Sequence, residues 1–230
     1  MTAMFSDLDC CCAIAIQLTT ARLLHSICYD IRVLVFAREV FVCKCSTHVP
    51  RTDPEATGLA TRVRFIQGTE ADIDRVDRNH HGDEDIAQMR ERLARGDHWM
   101  MGEADGRIVA YTWLHHRDRA AYPSLPGCEV RLRADTGYGY DAWTPPELRG
   151  QGLRRVGFLE ELNILRDWGM NWEASFFVKH QLDGATRSLG SAGIEIVPIW
   201  RVFLKPDRSL GAEQLIDDDA AVPVFVENAG

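Results

Sequence analysis

The chain has 230 residues, 46% of them hydrophobic and 26% charged, with a formal net charge of −8. That composition excludes wholesale disorder, because enough apolar surface is present to build a core, and it argues against a nucleic-acid binder, which needs an excess of Lys and Arg. The apolar stretch at residues 13–16 is far shorter than the ~20 residues that span a bilayer, and Asp7 and Asp9 stand where a signal peptide carries its basic region, so no membrane span and a cytoplasmic setting are expected.

Leu23, Leu24, Ile27, Cys28 and Ile31 recur at helical spacing. Residues 31–37 are β-branched and nearly continuous, as in a short buried strand, and residues 40–43 look like another. Residues 50–58 hold two prolines and a glycine among polar residues, a linker composition. A boundary is therefore expected near residues 48–60, with residues 1–60 an accessory segment.

From residue 61 strands and helices alternate. Residues 62–66 read as a strand, and Thr69 as the N-cap of a helix with acids in its first turn. Residues 85–94 carry Ile86, Met89, Arg90 and Leu93 at i, i+3, i+4, i+7, and Gly96 ends that helix. Residues 98–104 and 107–114 are strands joined by Asp105-Gly106, a strong hairpin signal. Residues 137–143 form an aromatic strand stopped by Pro145 and Pro146. Gly150 and Gly152 precede a helix on which Val156, Leu159, Glu160, Leu162, Asn163 and Leu165 line one face, and Gly169 caps it. A strand over 172–178, a short helix over 184–192 and a strand over 194–204, interrupted by Pro198, complete the series. The order predicts a mixed α+β fold over residues 61–206, a sheet flanked by helices. Residues 207–230 are an acidic tail in which 222–226 could dock as an edge strand.

The cysteines, Cys10, Cys11, Cys12, Cys28, Cys43, Cys45 and Cys128, have neither the C-x-x-C spacing of a zinc site nor the even count of a disulfide framework. They read as reduced thiols, and no metal is expected.

One stretch carries chemistry: Pro146-Glu-Leu-Arg149-Gly150-Gln151-Gly152-Leu153-Arg154, between a strand and an amphipathic helix. The first helical N–H groups have no intrahelical partner. The helix dipole adds about half a positive charge there, and glycines admit a ligand close to the backbone. A pyrophosphate suits such a turn. No Lys-Ser or Lys-Thr follows, as a P-loop requires, and the third glycine of a dinucleotide fingerprint is missing. On spacing alone, a plain tight turn opening a helix remains an alternative.

This stretch resembles the acetyl-CoA motif of the GNAT acyltransferase superfamily, Arg or Gln, two residues, Gly, one residue, Gly or Ala. Arg149 and Gly152 match it and Arg154 departs from it. The element order over residues 62–206 is similar to that family's fold, a central mixed, mostly antiparallel sheet flanked by helices, here with an N-terminal helix/strand extension. Ala185, Arg187, Gly193 and Ile194 resemble its second motif in part. The resemblance implies that backbone groups of Ala142, Trp143 and Thr144 pair with the pantetheine arm of acetyl-CoA or another acyl-CoA. Turn amides from Arg149, Gly150, Gln151, Gly152, Leu153 and Arg154 would hold its pyrophosphate. The tyrosine that many members use to protonate the leaving thiolate would fall at Leu189.

Aminolysis of a thioester needs a neutral amine, a stabilised oxyanion and a protonated thiolate. Asp141, Tyr140 and His180 are the catalytic candidates, with Tyr138, His115 and His116 as further titratable groups near the strand ends; solvent exposure or core packing is the competing reading of each. Cys128 has no neighbouring His or Asp pattern and reads as structural. The excess of Trp and Tyr in the strands fits either a core or an apolar acceptor pocket. The expected activity is transfer of an acetyl or other short acyl group from acyl-CoA to a primary amine of a small molecule or protein, by direct attack. The alternative is a catalytically inactive domain of the same fold that binds CoA or another protein. A homodimer through the apolar N-terminal segment is a further expectation.

Overall fold

The computed structural model describes residues 39–51, 56–77, 80–121, 128–205 and 209–225. The elements expected over residues 23–37, and Cys10, Cys11, Cys12 and Cys28, lie outside the described residues. Glu39–Gly230 forms one compact unit. Its elements are β1 (Glu39–Ser46), β2 (Arg64–Gln67), α1 (Asp83–Ala94), β3 (His98–Ala104), β4 (Arg107–His115), β5 (Arg119–Ala121), β6 (Cys128–Leu132), β7 (Thr136–Trp143), α2 (Leu153–Asp167), β8 (Trp172–Phe177), α3 (Lys179–Gly190), β9 (Val197–Leu204), β10 (Leu210–Gln214) and β11 (Ala221–Phe225). Short 3-10 turns occupy Gly58–Thr61, Glu70–Arg75 and Pro146–Leu148.

Eight strands make the main sheet, in the order β10-β9-β1-β8-β7-β4-β3-β2. Every neighbouring pair is antiparallel except β7 with β8, which is parallel. A second sheet has the order β11-β6-β5. Strand alternation sorts the residues of β1 between two cores. Val40 and Val42 pack with Val130 and Leu132 of the small sheet, whereas Phe41, Cys43 and Cys45 pack with Phe158 and Leu162 of α2 and Leu182 and Leu189 of α3. Helix α1 covers Trp99, Met101, Tyr111 and Trp113 through Ile86 and Met89. The result is three layers, with α2 and α3 on one face of the sheet and α1 and the small sheet on the other. Each fully buried side chain of this kind contributes roughly 2 kcal/mol.

Most of the elements expected from residue 61 onward are present. The exceptions have local causes. Thr69 does cap a turn, with Asp72 closing a capping box, but the chain leaves it as a 3-10 helix at Val76. Helix α3 begins at Lys179, not near 184, because Val178 at its N-cap makes no side-chain cap bond, and the sequence therefore gives no start signal. Pro198 sits where the β1–β9 register shifts, a bulge that tolerates its missing N–H. The boundary placed near 48–60 falls inside the compact unit, since β1 lies between β8 and β9. The tail supplies β10 to the main sheet and β11 to the edge of the small one.

Candidate active site

Strand β7 positions the site. It runs beside β8 only from Thr136 to Tyr138, opposite Trp172 to Ala174. Beyond that point β7 stays with β4 and β8 with β1, so the two parallel strands part. Between the pairs Tyr111↔Trp143 and Trp113↔Tyr140 the register shifts, and Asp141 and Ala142 together face Thr112. This is a β-bulge, which takes backbone groups out of the ladder. Asp141 turns the chain there with φ +50°.

Past the bulge, Pro145 and Pro146 end the strand, and the Arg149 guanidinium donates to the Thr144 carbonyl at 3.2 Å, closing the loop. Gly150 and Gly152 both sit at φ +78°, backbone that a glycine adopts without strain. Gly152 is the N-cap of α2 and brings no capping side chain. Among the described residues, the N–H groups of Gly150, Gln151, Gly152, Leu153 and Arg154 meet no acceptor. Those residues line a cleft of about 550 Å³, together with Gly58, Leu59 and Ser188. Arg149, Arg154 and Arg155 line it too. A chain with a net negative charge has brought the guanidinium groups of Arg149 and Arg155 to one set of free N–H groups, which favours a polyanion.

Of the residues singled out as cofactor-binding, Arg149, Gly150, Gln151, Gly152, Leu153, Arg154 and Thr144 meet in this cleft, and Ala142 and Trp143 lead into it along β7. The Arg154 side chain turns inward instead of towards a ligand: it forms an ion pair with buried Glu161 and lies over the Phe158 ring, 4.9 Å from its centroid. Only its N–H is left for the cleft.

The catalytic candidates fare differently. Tyr140 and Asp141 lie together on the α1 side, each already engaged. The Tyr140 hydroxyl donates to Asp97 Oδ2 at 2.6 Å, and burial together with that bond pushes its phenol well above the usual range. Asp141 forms an ion pair with Arg92, whose guanidinium also lies over Trp113 and Tyr140. His180 is exposed in the first turn of α3 and does not line the cleft. His115 is buried against Tyr138 and Tyr140; burial and Arg117 lower its imidazole to about 4. His116 packs on Trp168. Leu182 and Leu189 belong to the core, so the position expected to hold a tyrosine offers no proton. Trp99 and Trp113 are stacked, fully buried core residues, whereas Trp143 is half-buried and stacks on Tyr111 beside the bulge.

Three features were missed in the sequence. Asp97, with a fully buried side chain, accepts from Tyr140 and from Arg95 at 3.0 Å and pairs with Arg117. Burial alone would raise its carboxyl, but Arg117, Tyr140 and Arg95 hold it below the usual range. His81 lies just before α1, its ring 4.7 Å from Trp143 and 5.7 Å from Tyr111. It is 7% exposed, its Nε2 has no hydrogen-bond partner among the described residues, and burial lowers its proton affinity against the opposing pull of Asp85 and Asp141. Glu161 of α2 and Glu173 of β8, 0% and 1% exposed, lie beneath Gly139. A methyl group on Gly139 would collide with Glu173 Oε1 and stand 3.1 Å from Glu161 Oε2. The signals were present: Glu161 interrupts an apolar helix face, and Glu173 and Ser175 alternate on the covered side of a strand.

The sequence matches no protein-family model and no curated protein. Comparison with solved structures shows the fold to be that of the GNAT acetyltransferases. The GCN5-related glucosamine N-acetyltransferase region of a fungal multi-domain GH3 β-N-acetylglucosaminidase is 14% identical, with a TM-score of 0.50 over 70% of this chain and 20% of that protein. This chain thus matches only a small part of that protein's length. A predicted acetyltransferase from Clostridium acetobutylicum, determined with acetyl-CoA, is 16% identical over 54% of this chain and 87% of that one, with a TM-score of 0.38. The aminoglycoside 6′-N-acetyltransferase of Acinetobacter baumannii is 16% identical over 56% and 89%, with a TM-score of 0.40. Among the described residues no helix is long and apolar enough to cross a membrane.

Proposed function

We propose that the cleft at Gly152 holds the pyrophosphate of an acyl-CoA and that the chain transfers a short acyl group from it to a primary amine. The observation that carries this reading is the set of five N–H groups without acceptors, rimmed by arginines, at the end of a strand that has parted from its parallel neighbour. Pantetheine would lie in the opening along Ala142, Trp143 and Thr144. The amine lone pair attacks the thioester carbonyl, the C–S bond breaks, and the CoA thiolate takes up a proton. His81 is the base of this reading, in place of Tyr140, Asp141 and His180. Its ring is neutral by burial, its Nε2 has no partner among the described residues, and it touches Trp143.

Isothermal titration with acetyl-CoA tests the site. Micromolar binding is expected, with at least a ~10-fold loss in Gly152→Trp, whose side chain would fill the cleft and force a strained φ; a folded wild-type chain that fails to bind would sink the reading. Thiol release from acetyl-CoA with a panel of primary amines tests the chemistry. His81→Gln is expected to keep acetyl-CoA affinity within about 2-fold and to lose roughly 100-fold in turnover, the usual contribution of a general base. A second reading, CoA binding without turnover, is favoured by Leu189, a core residue at the position where the resemblance places the tyrosine acid. Thioester cleavage with any amine would refute it.

A further inference from the structure

The buried pair Glu161–Glu173 is unexplained by acyl transfer and lies one side chain away from the cleft. Its surroundings are few. Arg154 of α2 pairs with Glu161, and among the described residues it is the one cation acting on either carboxyl group. Ser175 of β8 donates to Glu173 Oε1 at 2.7 Å, and the Cys45 thiol of β1 lies 3.5 Å from Glu173 Oε2. Thr112 of β4 faces Glu161. From β7 only the backbone of Gly139 approaches. The Cys45 thiol, with Cys43 beside it, is kept protonated by burial and by the carboxyl groups. Two carboxyl groups shut off from water, with one half-exposed arginine between them and solvent, cannot comfortably hold two negative charges. One of the pair therefore carries a proton, and burial together with Glu161 pushes Glu173 up to about 8.

Arg154 joins this pair to the cleft. It is the second residue of α2, its N–H is one of the five free donors, and its side chain is 44% exposed. We propose that a polyphosphate bound at the Gly152 turn is linked through Arg154 to the Glu161–Glu173 pair, so that ligand and proton are taken up together. Two routes lead to the same sign. If the anion draws the guanidinium away, Glu161 loses its counter-charge. If the guanidinium stays, the anion adds negative potential beside a pair that already has one charge too many. Either way a carboxylate of the pair accepts a proton from solvent and becomes a neutral acid. Affinity then falls as pH rises, by up to about tenfold per pH unit where the uptake is complete.

The inference rests on the phosphate-site reading, and one experiment separates the two. Acetyl-CoA and inorganic pyrophosphate are titrated calorimetrically at pH 7.5 and above, in HEPES and in Tris. The phosphomonoester of acetyl-CoA, with a pKa of about 6, is then already ionised; pyrophosphate still holds a proton of its own there, so its count is read as the difference between wild type and variant. The two buffers differ in ionisation enthalpy, and the difference in heat counts the protons. Wild type is expected to take up between about half a proton and one per ligand. The double variant Glu161→Gln/Glu173→Gln, which removes both carboxyl groups that can accept the proton, should abolish the uptake and flatten affinity against pH; Glu161→Gln is the second variant. Uptake with both ligands means that the phosphates suffice; uptake with acetyl-CoA alone assigns the linkage to the whole coenzyme. Binding with no uptake, or with equal uptake in folded Glu161→Gln/Glu173→Gln, overturns the linkage while the site stands. If neither ligand binds folded wild type, both fall. If both variants fail to fold, the proton count of wild type alone decides.

Discussion

The two sides of β7 treat buried charge in opposite ways. On the α1 side one carboxylate, Asp97, is met by two guanidinium groups and a phenol hydroxyl. On the α2 side two carboxyl groups share one guanidinium. The first arrangement favours the charged acid and locks Tyr140 in place. The second favours the neutral acid and stores a proton. The same functional group, buried in both places, is fixed on one side and titratable on the other, and the number of cations within reach makes the difference.

The sharpest way to break the contrast is Arg154→Leu, which leaves the α2-side pair without a cation. A loss of about 3 kcal/mol is expected at pH 8. It should shrink towards pH 5, because a protonated Glu161 no longer needs a partner; the urea midpoint at the two pH values measures it. Asp97→Asn comes next, with a cost of about 2 kcal/mol at neutral pH for the lost charged hydrogen bonds. A carboxyl held below its unfolded value stabilises above about pH 4 and loses that contribution as pH falls, so variant and wild type should converge in acid. Near-ultraviolet titration of Tyr140 should also move down towards its ordinary range. The smallest effect has the opposite sign. Glu173 is raised in the folded state, which therefore binds more protons than the unfolded chain from about pH 4 up to the raised value, and wild-type stability falls as pH rises through that window. Glu173→Gln should remove the penalty and stabilise by about 1 kcal/mol at pH 8, with no gain near pH 4. Parallel stability curves for Asp97→Asn and Glu173→Gln would erase the distinction.

What the sequence disclosed was local. Helix α2, the Asp105-Gly106 hairpin and the glycine turn follow from the spacing of neighbouring residues, and the turn lines the candidate cleft. What it concealed was contact between distant segments. Tyr140 and Asp141 read as free catalytic groups because Asp97 and Arg92, which occupy them, come from another strand end and another helix. His81 carries no motif, and only the folding of Trp143 and Tyr111 around it makes it neutral. The helix face read from the sequence included Glu160, whereas the buried acid is Glu161, and its partner Glu173 is brought beneath Gly139 by the parallel pairing of β7 with β8. The small sheet was missed for a different reason: β5 and β6 have three and five residues, too short for a period to emerge.

Strand β1 has a consequence for how the molecule is made. Phe41 pairs with Phe177 and Val40 with Val202, so a strand near the start of the described chain finds its neighbours only after most of the chain has been synthesised. Until then both of its edges stand open, on a segment whose Val40, Phe41 and Val42 suit it to pair with any exposed strand. Closing loops of that length before any pairing rewards them slows folding. The centre of the sheet is thus sealed last, by a strand that was available first, and the interval between the two is when this chain is most exposed to joining a copy of itself.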